Sequence, residues 1–200
     1  MWAYTWDGGD DDELYAVAVD SGGNIYCAGY TYSFGTGNSD ALLLKYDSSG
    51  VFQWARTWNG GDTDEVYAVA VDPWGNVYCA GYTYSFGTGN SDALLLKYSS
   101  SGAVQWAKTW SGSDGNELYA VAVDSTGNVC LGGITYSYTG AWQDVTGVVG
   151  TSPGTVDYSP PGVPNTVSGT AVDDPPGTDS DQTGIQTGAD GSDALLLKNW

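Results

Sequence analysis

One segment returns at a fixed interval: Tyr15-Ala-Val-Ala-Val-Asp20 recurs as Tyr67 to Asp72 and again as Tyr119 to Asp124, a spacing of 52 residues. Trp2, Trp54 and Trp106 keep that interval, and so do Trp6, Trp58 and Trp110. The stretch from Asn24 to Tyr46 comes back as Asn76 to Tyr98 with a single change, Ile25 to Val77. Self-similarity at this period means units that bury their apolar faces against their neighbours rather than in one shared globular core. Two copies so alike have had little freedom to specialise. The unit's value lies in being repeated.

Each unit holds four short segments between turn signals: Leu14 to Val19, Ile25 to Tyr32, Ala41 to Tyr46 and Val51 to Trp58. Gly22-Gly23 between the first two supports a hairpin, and Asp47-Ser-Ser-Gly50 turns the third into the fourth. The Leu triplet has helix-forming residues, but six residues between turns is the length of a strand. With 30 glycines, 15 tyrosines and 9 tryptophans, the chain is rich in turn formers and flat β-favouring rings. Four antiparallel strands per unit predict an all-β chain of β-propeller type with three four-stranded blades.

The pattern Asp64-Glu65-x-Tyr67-Ala68-x-Ala70-x-Asp72, Gly75-Asn76-x-Tyr78, Gly81-Tyr82-Thr83, Ser91-Asp92-Ala93 and Val104-x-Trp106-Ala107 resembles the bacterial and archaeal β-propeller repeat known as the SBBP repeat. The resemblance covers about three-quarters of the chain. It implies large, exported, surface-associated proteins, hence an extracellular or cell-surface location. It implies architecture far more than chemistry.

The repeat starts out of phase. Residues 1–6 read as a fourth-type strand with no blade of their own, followed by a first blade over 7–58 and a second over 59–110. The third blade, 111–137 and 191–200, ends on its third-type strand, Ala194, Leu195, Leu196, Leu197 and Lys198. An open edge is a template for another strand, so Trp2, Tyr4 and Trp6 are expected to complete that edge. Three blades are too few for ordinary closure within one chain. The partner expected is therefore a second copy, in a closed ring or an open head-to-tail filament. A fragment of a longer propeller is the other reading.

Between the halves of the third blade lies a Pro/Gly/Thr/Ser-rich insertion, 138–190, holding six of the 7 prolines. Segments of this length are an ordered arm on a neighbouring blade, a flexible loop or a lid. Tyr138, Trp142, Val145, Val148 and Val149 are its candidate anchors.

Chemistry is sparse. No histidine is present, and no Gly-x-Ser-x-Gly elbow or phosphate-binding loop, so no enzyme is expected. The formal charge of −19 argues against nucleic acid. No apolar run is long enough for membrane insertion, and no signal peptide is expected in this chain. Cys27, Cys79 and Cys130 read as free core thiols. Cofactors are expected to be none, unless Asp7, Asp10, Asp11, Asp12 and Glu13 gather calcium; the competing role for Asp12 and Asp64 is capping turn N–H groups. Asp40, Asp92 and Asp193 are expected to bond between blades. Trp74, which replaces Gly22 of the first copy, and Trp142 are candidate ligand-stacking residues. The expected function is a non-enzymatic structural or adhesive protein that binds copies of itself, with a carbohydrate-binding propeller as the alternative.

Overall fold

The computed structural model describes residues 6, 8–35, 38–88, 90–136 and 140–145, together with the backbone of three further strands, 149–152, 155–158 and 193–198. All the regular structure described is β, in antiparallel sheets, with no helix. In chain order the strands are β1 (Asp12–Val19), β2 (Ile25–Thr31), β3 (Asp40–Tyr46), β4 (Phe52–Trp58), β5 (Asp64–Val71), β6 (Val77–Thr83) and β7 (Asp92–Tyr98). There follow β8 (Val104–Gly112), β9 (Asn116–Val123), β10 (Val129–Thr135), β11 (Gly140–Asp144), β12 (Val149–Ser152), β13 (Thr155–Tyr158) and β14 (Asp193–Lys198).

The turn chemistry of each repeat sets its first hairpin. Asp72 Oδ1 accepts the N–H groups of Trp74 at 2.9 Å and Asn76 at 2.8 Å, and Asp72 Oδ2 accepts from Asn76 Nδ2 at 2.7 Å. Asp20 and Asp124 build the same loop with Asn24 and Asn128. The glycine before each asparagine adopts a left-handed backbone, φ 81° at Gly23, 86° at Gly75 and 89° at Gly127, where a side chain would be strained. This is why Asp-x-x-Gly-Asn recurs.

A second fixed point lies across the hairpin. Gly29, Gly81 and Gly133 sit opposite an irregularity in the neighbouring strand, and a Cβ on Gly81 would stand 1.9 Å from the Glu65 carbonyl oxygen. Only glycine allows that approach.

The sheets are not the three equal four-stranded units that the repeat predicts. The first has the order β1-β2-β3-β4, the second β11-β8-β7-β6-β5, the third β14-β10-β9, and β12-β13 is a separate hairpin. The insertion causes the inequality. Its first strand leaves the third unit and pairs antiparallel with β8, Gly140 opposite Gly112 through Asp144 opposite Lys108. There Trp142 meets Trp110 edge-on with ring centroids 5.8 Å apart, and Lys108 Nζ reaches Asp144 Oδ1 at 2.5 Å. Val145 is buried beyond it. Trp142 and Val145 thus lie at the start of the insertion against a sheet; Tyr138 and Val148 fall outside the described residues.

The sheets pack face to face, β1 beside β5 and β5 beside β9. One face of the first sheet (Tyr26, Ala28, Ala41, Leu43) forms a core with the near face of the second (Val66, Val77, Leu94, Leu96). The far face of the second (Tyr78, Ala80, Ala93, Leu95) does the same with Leu118, Val129 and Leu131 of the third. Alternation along each strand produces both faces at once, which is how a repeat stacks.

Candidate functional site

The seam between sheets is a repeated clasp. Ser39, just before β3, accepts the Asp64 N–H on its carbonyl at 2.8 Å and donates its hydroxyl to Glu65 Oε1 at 2.7 Å. One repeat later Ser91 accepts the Asn116 N–H at 2.7 Å and donates to Glu117 Oε1 at 3.2 Å. Asn38 and Asn90 add bonds to Asp62 and Asp114 of the following unit. The other oxygen of each glutamate takes a tyrosine hydroxyl, Tyr67 to Glu65 at 2.6 Å and Tyr119 to Glu117. Tyr15, Tyr67 and Tyr119 then form a row, their rings 5.1 Å and 5.5 Å apart.

Buried carboxylates anchor the seam. Asp64 Oδ2 accepts the Gly60 N–H at 2.7 Å and the Ser85 hydroxyl at 2.9 Å, while Thr83 donates to Oδ1. Burial nevertheless pushes its carboxyl up to about 6. Asp92 is raised to about 6 by the same cause, although its Oδ2 accepts the Thr88 N–H at 3.0 Å. The Asn116 N–H, given to the carbonyl of the neighbouring Ser91, reaches from one sheet to the next. Basic side chains latch the outer strands: Lys45 Nζ donates to the Ser100 carbonyl at 3.0 Å and Arg56 Nε to that of Gly102 at 2.8 Å, both across the seam.

Among the described residues, the first sheet has one face with no sheet upon it. Leu14 is 46% exposed, whereas its repeat equivalents Val66 and Leu118 are 1% and 0% exposed. Val17 and Val19 are 65% and 61% exposed, while Val69 and Val71 pack against the first core. Trp6 partly covers this face beside Leu42, Leu44, Ile25 and Cys27. Its ring lies 6.0 Å from Phe34, which repeats the 5.4 Å contact of Trp58 with Phe86. Trp58 closes the outer strand of the preceding unit. Trp6 therefore stands where such a strand should end.

The residues singled out from the sequence fall as follows. Trp2, Tyr4 and Asp7 lie outside the described residues. Asp12 Oδ2 accepts the Gly8 N–H at 2.7 Å and the Ser33 hydroxyl at 3.1 Å, the capping arrangement that Asp64 repeats. Asp10 Oδ1 accepts the Asp11 N–H at 3.0 Å and Glu13 accepts the Tyr15 hydroxyl at 2.7 Å. Among the described residues no three acidic or thiol side chains are gathered as a metal site. Ala194 to Lys198 form β14 with Asp193 and pair with β10, Ala194 opposite Ile134 and Lys198 opposite Cys130. Trp74 is 64% exposed on its turn, and its ring closes on Gly127 of the next unit's turn, where a Cβ would stand 2.9 Å away. Trp142 is occupied by Trp110.

The sequence reading named the aspartates before each third strand and quoted Glu65 and Ser91 as part of the repeat pattern, but did not foresee the serine-to-glutamate bonds of Ser39 with Glu65 and Ser91 with Glu117 that carry the clasp. The signal was present: Asn-Ser-Asp recurs at 38–40 and 90–92, and Gly-Ser-Asp stands at 191–193.

Residues 53–87 match the family model of the SBBP β-propeller repeat. The chain is also similar to the regulatory protein FlaEY of Caulobacter vibrioides, 31% identical over 130 residues. That match takes in 58% of this chain and 13% of the relative's length.

Proposed function

We propose that this chain, which carries the SBBP β-propeller repeat, is a non-enzymatic extracellular or cell-surface structural protein that assembles with copies of itself by strand complementation. One observation carries the reading. The third sheet ends at β14 with no fourth strand among the described residues, while Trp6 holds the place on the first sheet that closes such a strand. By the repeat, the sequence of residues 1–6 and the edge of β14 left without a fourth strand among the described residues are complementary halves of one blade. The repeated clasp supports a scaffold role, since its carboxylates are spent on backbone and hydroxyl partners and recur in successive units.

The test is removal of residues 1–6 from the otherwise intact chain, followed by light scattering over a range of protein concentrations. The intact chain should show a mass that rises with concentration; the shortened one should remain a monomer of the same fold. Equal masses for the two would overturn the proposal.

A second reading draws on the exposed rings. Tyr15, Tyr32, Tyr84, Tyr119 and Tyr136 are each half exposed, and Trp74 more so. Such rings stack on sugar faces, and retention on a glycan array checks that alternative. The regulatory role in the name of the Caulobacter relative belongs to a protein of which the shared repeats are a small part.

A further inference from the structure

We infer that Tyr15, Tyr67 and Tyr119 form an oxidative cross-linking site. A one-electron oxidant of the haem peroxidase class, fed by hydrogen peroxide, would join the ring of Tyr67 to that of Tyr15 or Tyr119 as a dityrosine. The site lies within one chain and stands apart from the assembly reading above.

The backbone aims these rings. In the first unit Leu14 faces Gly29 and Ala16 faces Ala28, which leaves Tyr15 with no residue opposite. Tyr67 and Tyr119 are skipped in the same way in their own strands. A bulge of this kind re-aims its extra side chain. The close approach at Gly29, Gly81 and Gly133 makes room for it. The three tyrosines so aimed form a row across both seams, with ring centroids 5.1 Å and 5.5 Å apart. Packing alone does not explain the row, because Tyr15 and Tyr119 at its ends are half exposed. Side rings extend it: Tyr30 lies 5.7 Å from Tyr15 and touches Tyr32, and Tyr82 lies 5.7 Å from Tyr67 and touches Tyr84. Exposed rings within reach of an oxidant are thus in contact with the half-buried Tyr67.

The hydrogen bonds suit the chemistry. A phenol loses an electron most readily when a base takes its proton in the same step. Tyr15 donates to Glu13 Oε2 at 2.7 Å, Tyr67 to Glu65 Oε2 at 2.6 Å, and Tyr119 to Glu117. The Ser39 hydroxyl fixes the other oxygen of Glu65 at 2.7 Å. Burial and the bond to Glu65 hold the Tyr67 phenol above its ordinary value, so the neutral phenol is the species oxidised. Each oxidation removes one electron from a ring and passes the phenolic proton to its glutamate. Two neighbouring radicals then form a carbon–carbon bond between the positions ortho to oxygen. The two ortho hydrogens move to the phenol oxygens as the rings regain aromaticity, and the glutamates release their protons. The two electrons and two protons reduce one hydrogen peroxide to two waters. In the third unit Ile134 takes the place of Tyr30 and Tyr82, which leaves Tyr136 without the ring that would join it to Tyr119.

The test treats the dilute full chain with a haem peroxidase and hydrogen peroxide, isolates the monomer by gel filtration, then unfolds and digests it with trypsin. Cleavage after Lys45, Arg56, Lys97 and Lys108 puts Tyr15, Tyr67 and Tyr119 in three peptides, 1–45, 57–97 and 109–198. Mass spectrometry should find 57–97 joined to 1–45 or to 109–198 with the loss of two hydrogens, and fragmentation should place the link on Tyr67. Tyr67→Phe keeps the ring and the parent's circular dichroism and should lose these linked peptides. Tyr136→Phe removes a half-exposed phenol outside the row and should leave their yield unchanged. Glu65→Gln still accepts the phenol's hydrogen bond but cannot take its proton, and should slow linking several-fold. A monomer without linked peptides, after its exposed tyrosines have been consumed, overturns the inference. So does an equal yield from Tyr67→Phe. An unchanged rate in Glu65→Gln overturns the role given to the glutamates.

Discussion

At the scale of single residues, the repeat is held by close approaches and buried carboxylates. Gly81 faces the Glu65 carbonyl so closely that a methyl group there displaces the strand. Gly81→Ala should therefore cost about 2 kcal/mol or more in urea unfolding. Gly132→Ala should cost little, because its Cβ meets only Ala120 at 3.6 Å and the other two units already carry alanine there. Equal effects would contradict the account. Asp64 titrates near 6 in the folded chain and at 3.8 when free. Between those values the folded state binds more protons than the unfolded one, so stability falls as pH rises and returns on acidification. The melting temperature should rise from pH 7 to pH 5. Relief of repulsion among 24 acidic residues acts in the same direction, so the readout is the difference from Asp64→Asn, which should rise less. Asparagine is tolerated there because Asn116 already accepts the Thr135 hydroxyl at 2.6 Å in the third unit. A steeper rise in the variant would refute the assignment.

At the scale of elements, legibility followed repetition. The strands and turns of the first two units were plain in the sequence because each signal occurs in register: the Tyr-Ala-Val-Ala-Val runs, the Asp-x-x-Gly-Asn turns, the Leu triplets. Asp92 was read as a residue bonding between units; its Oδ2 accepts the Thr88 N–H of its own unit, and the bond that crosses there is that of its neighbour Ser91, whose carbonyl takes the Asn116 N–H. What was not legible was β11. It occurs once, so no period announces it, and its place is set by partners far along the chain: Trp110, whose indole admits only glycine above it, and Lys108. A Cβ on Gly140 would lie 2.3 Å from Trp110 Nε1. Since Trp110 is fully buried and has no room to retreat, Gly140→Val should detach β11 from β8. Hydrogen exchange would then show the outward amides of β8 losing protection while those of β6 keep theirs. Unchanged protection along β8 would mean that β11 is not what covers that edge. The same strand covers the edge that β8 would otherwise present.

At the scale of the whole molecule, the described residues form stacked sheets in which each repeat packs on the one before it. Four of the five basic residues have described side chains, and all four stand over tyrosine rings of the second strand or tryptophan rings of the fourth strand of their units. The acidic side chains that give the charge of −19 repel approach in general. In the proposed assembly, association depends on a contact whose shape the repeat specifies. The register is specified too. Arg56 stands opposite Leu43 and Lys108 opposite Leu95, so Tyr4 belongs opposite Leu196. Residues facing each other in an antiparallel pair lie about 4.5–5.5 Å apart at Cα, within the reach of a disulfide. The most direct measurement mixes two chains freed of their native cysteines, one carrying Tyr4→Cys and the other Leu196→Cys, under mild oxidation. A disulfide joining the two different chains should form quickly, and an Ala3→Cys chain in place of the first should link far more slowly. No link between chains, or a link at equal rate from either position, would contradict strand complementation.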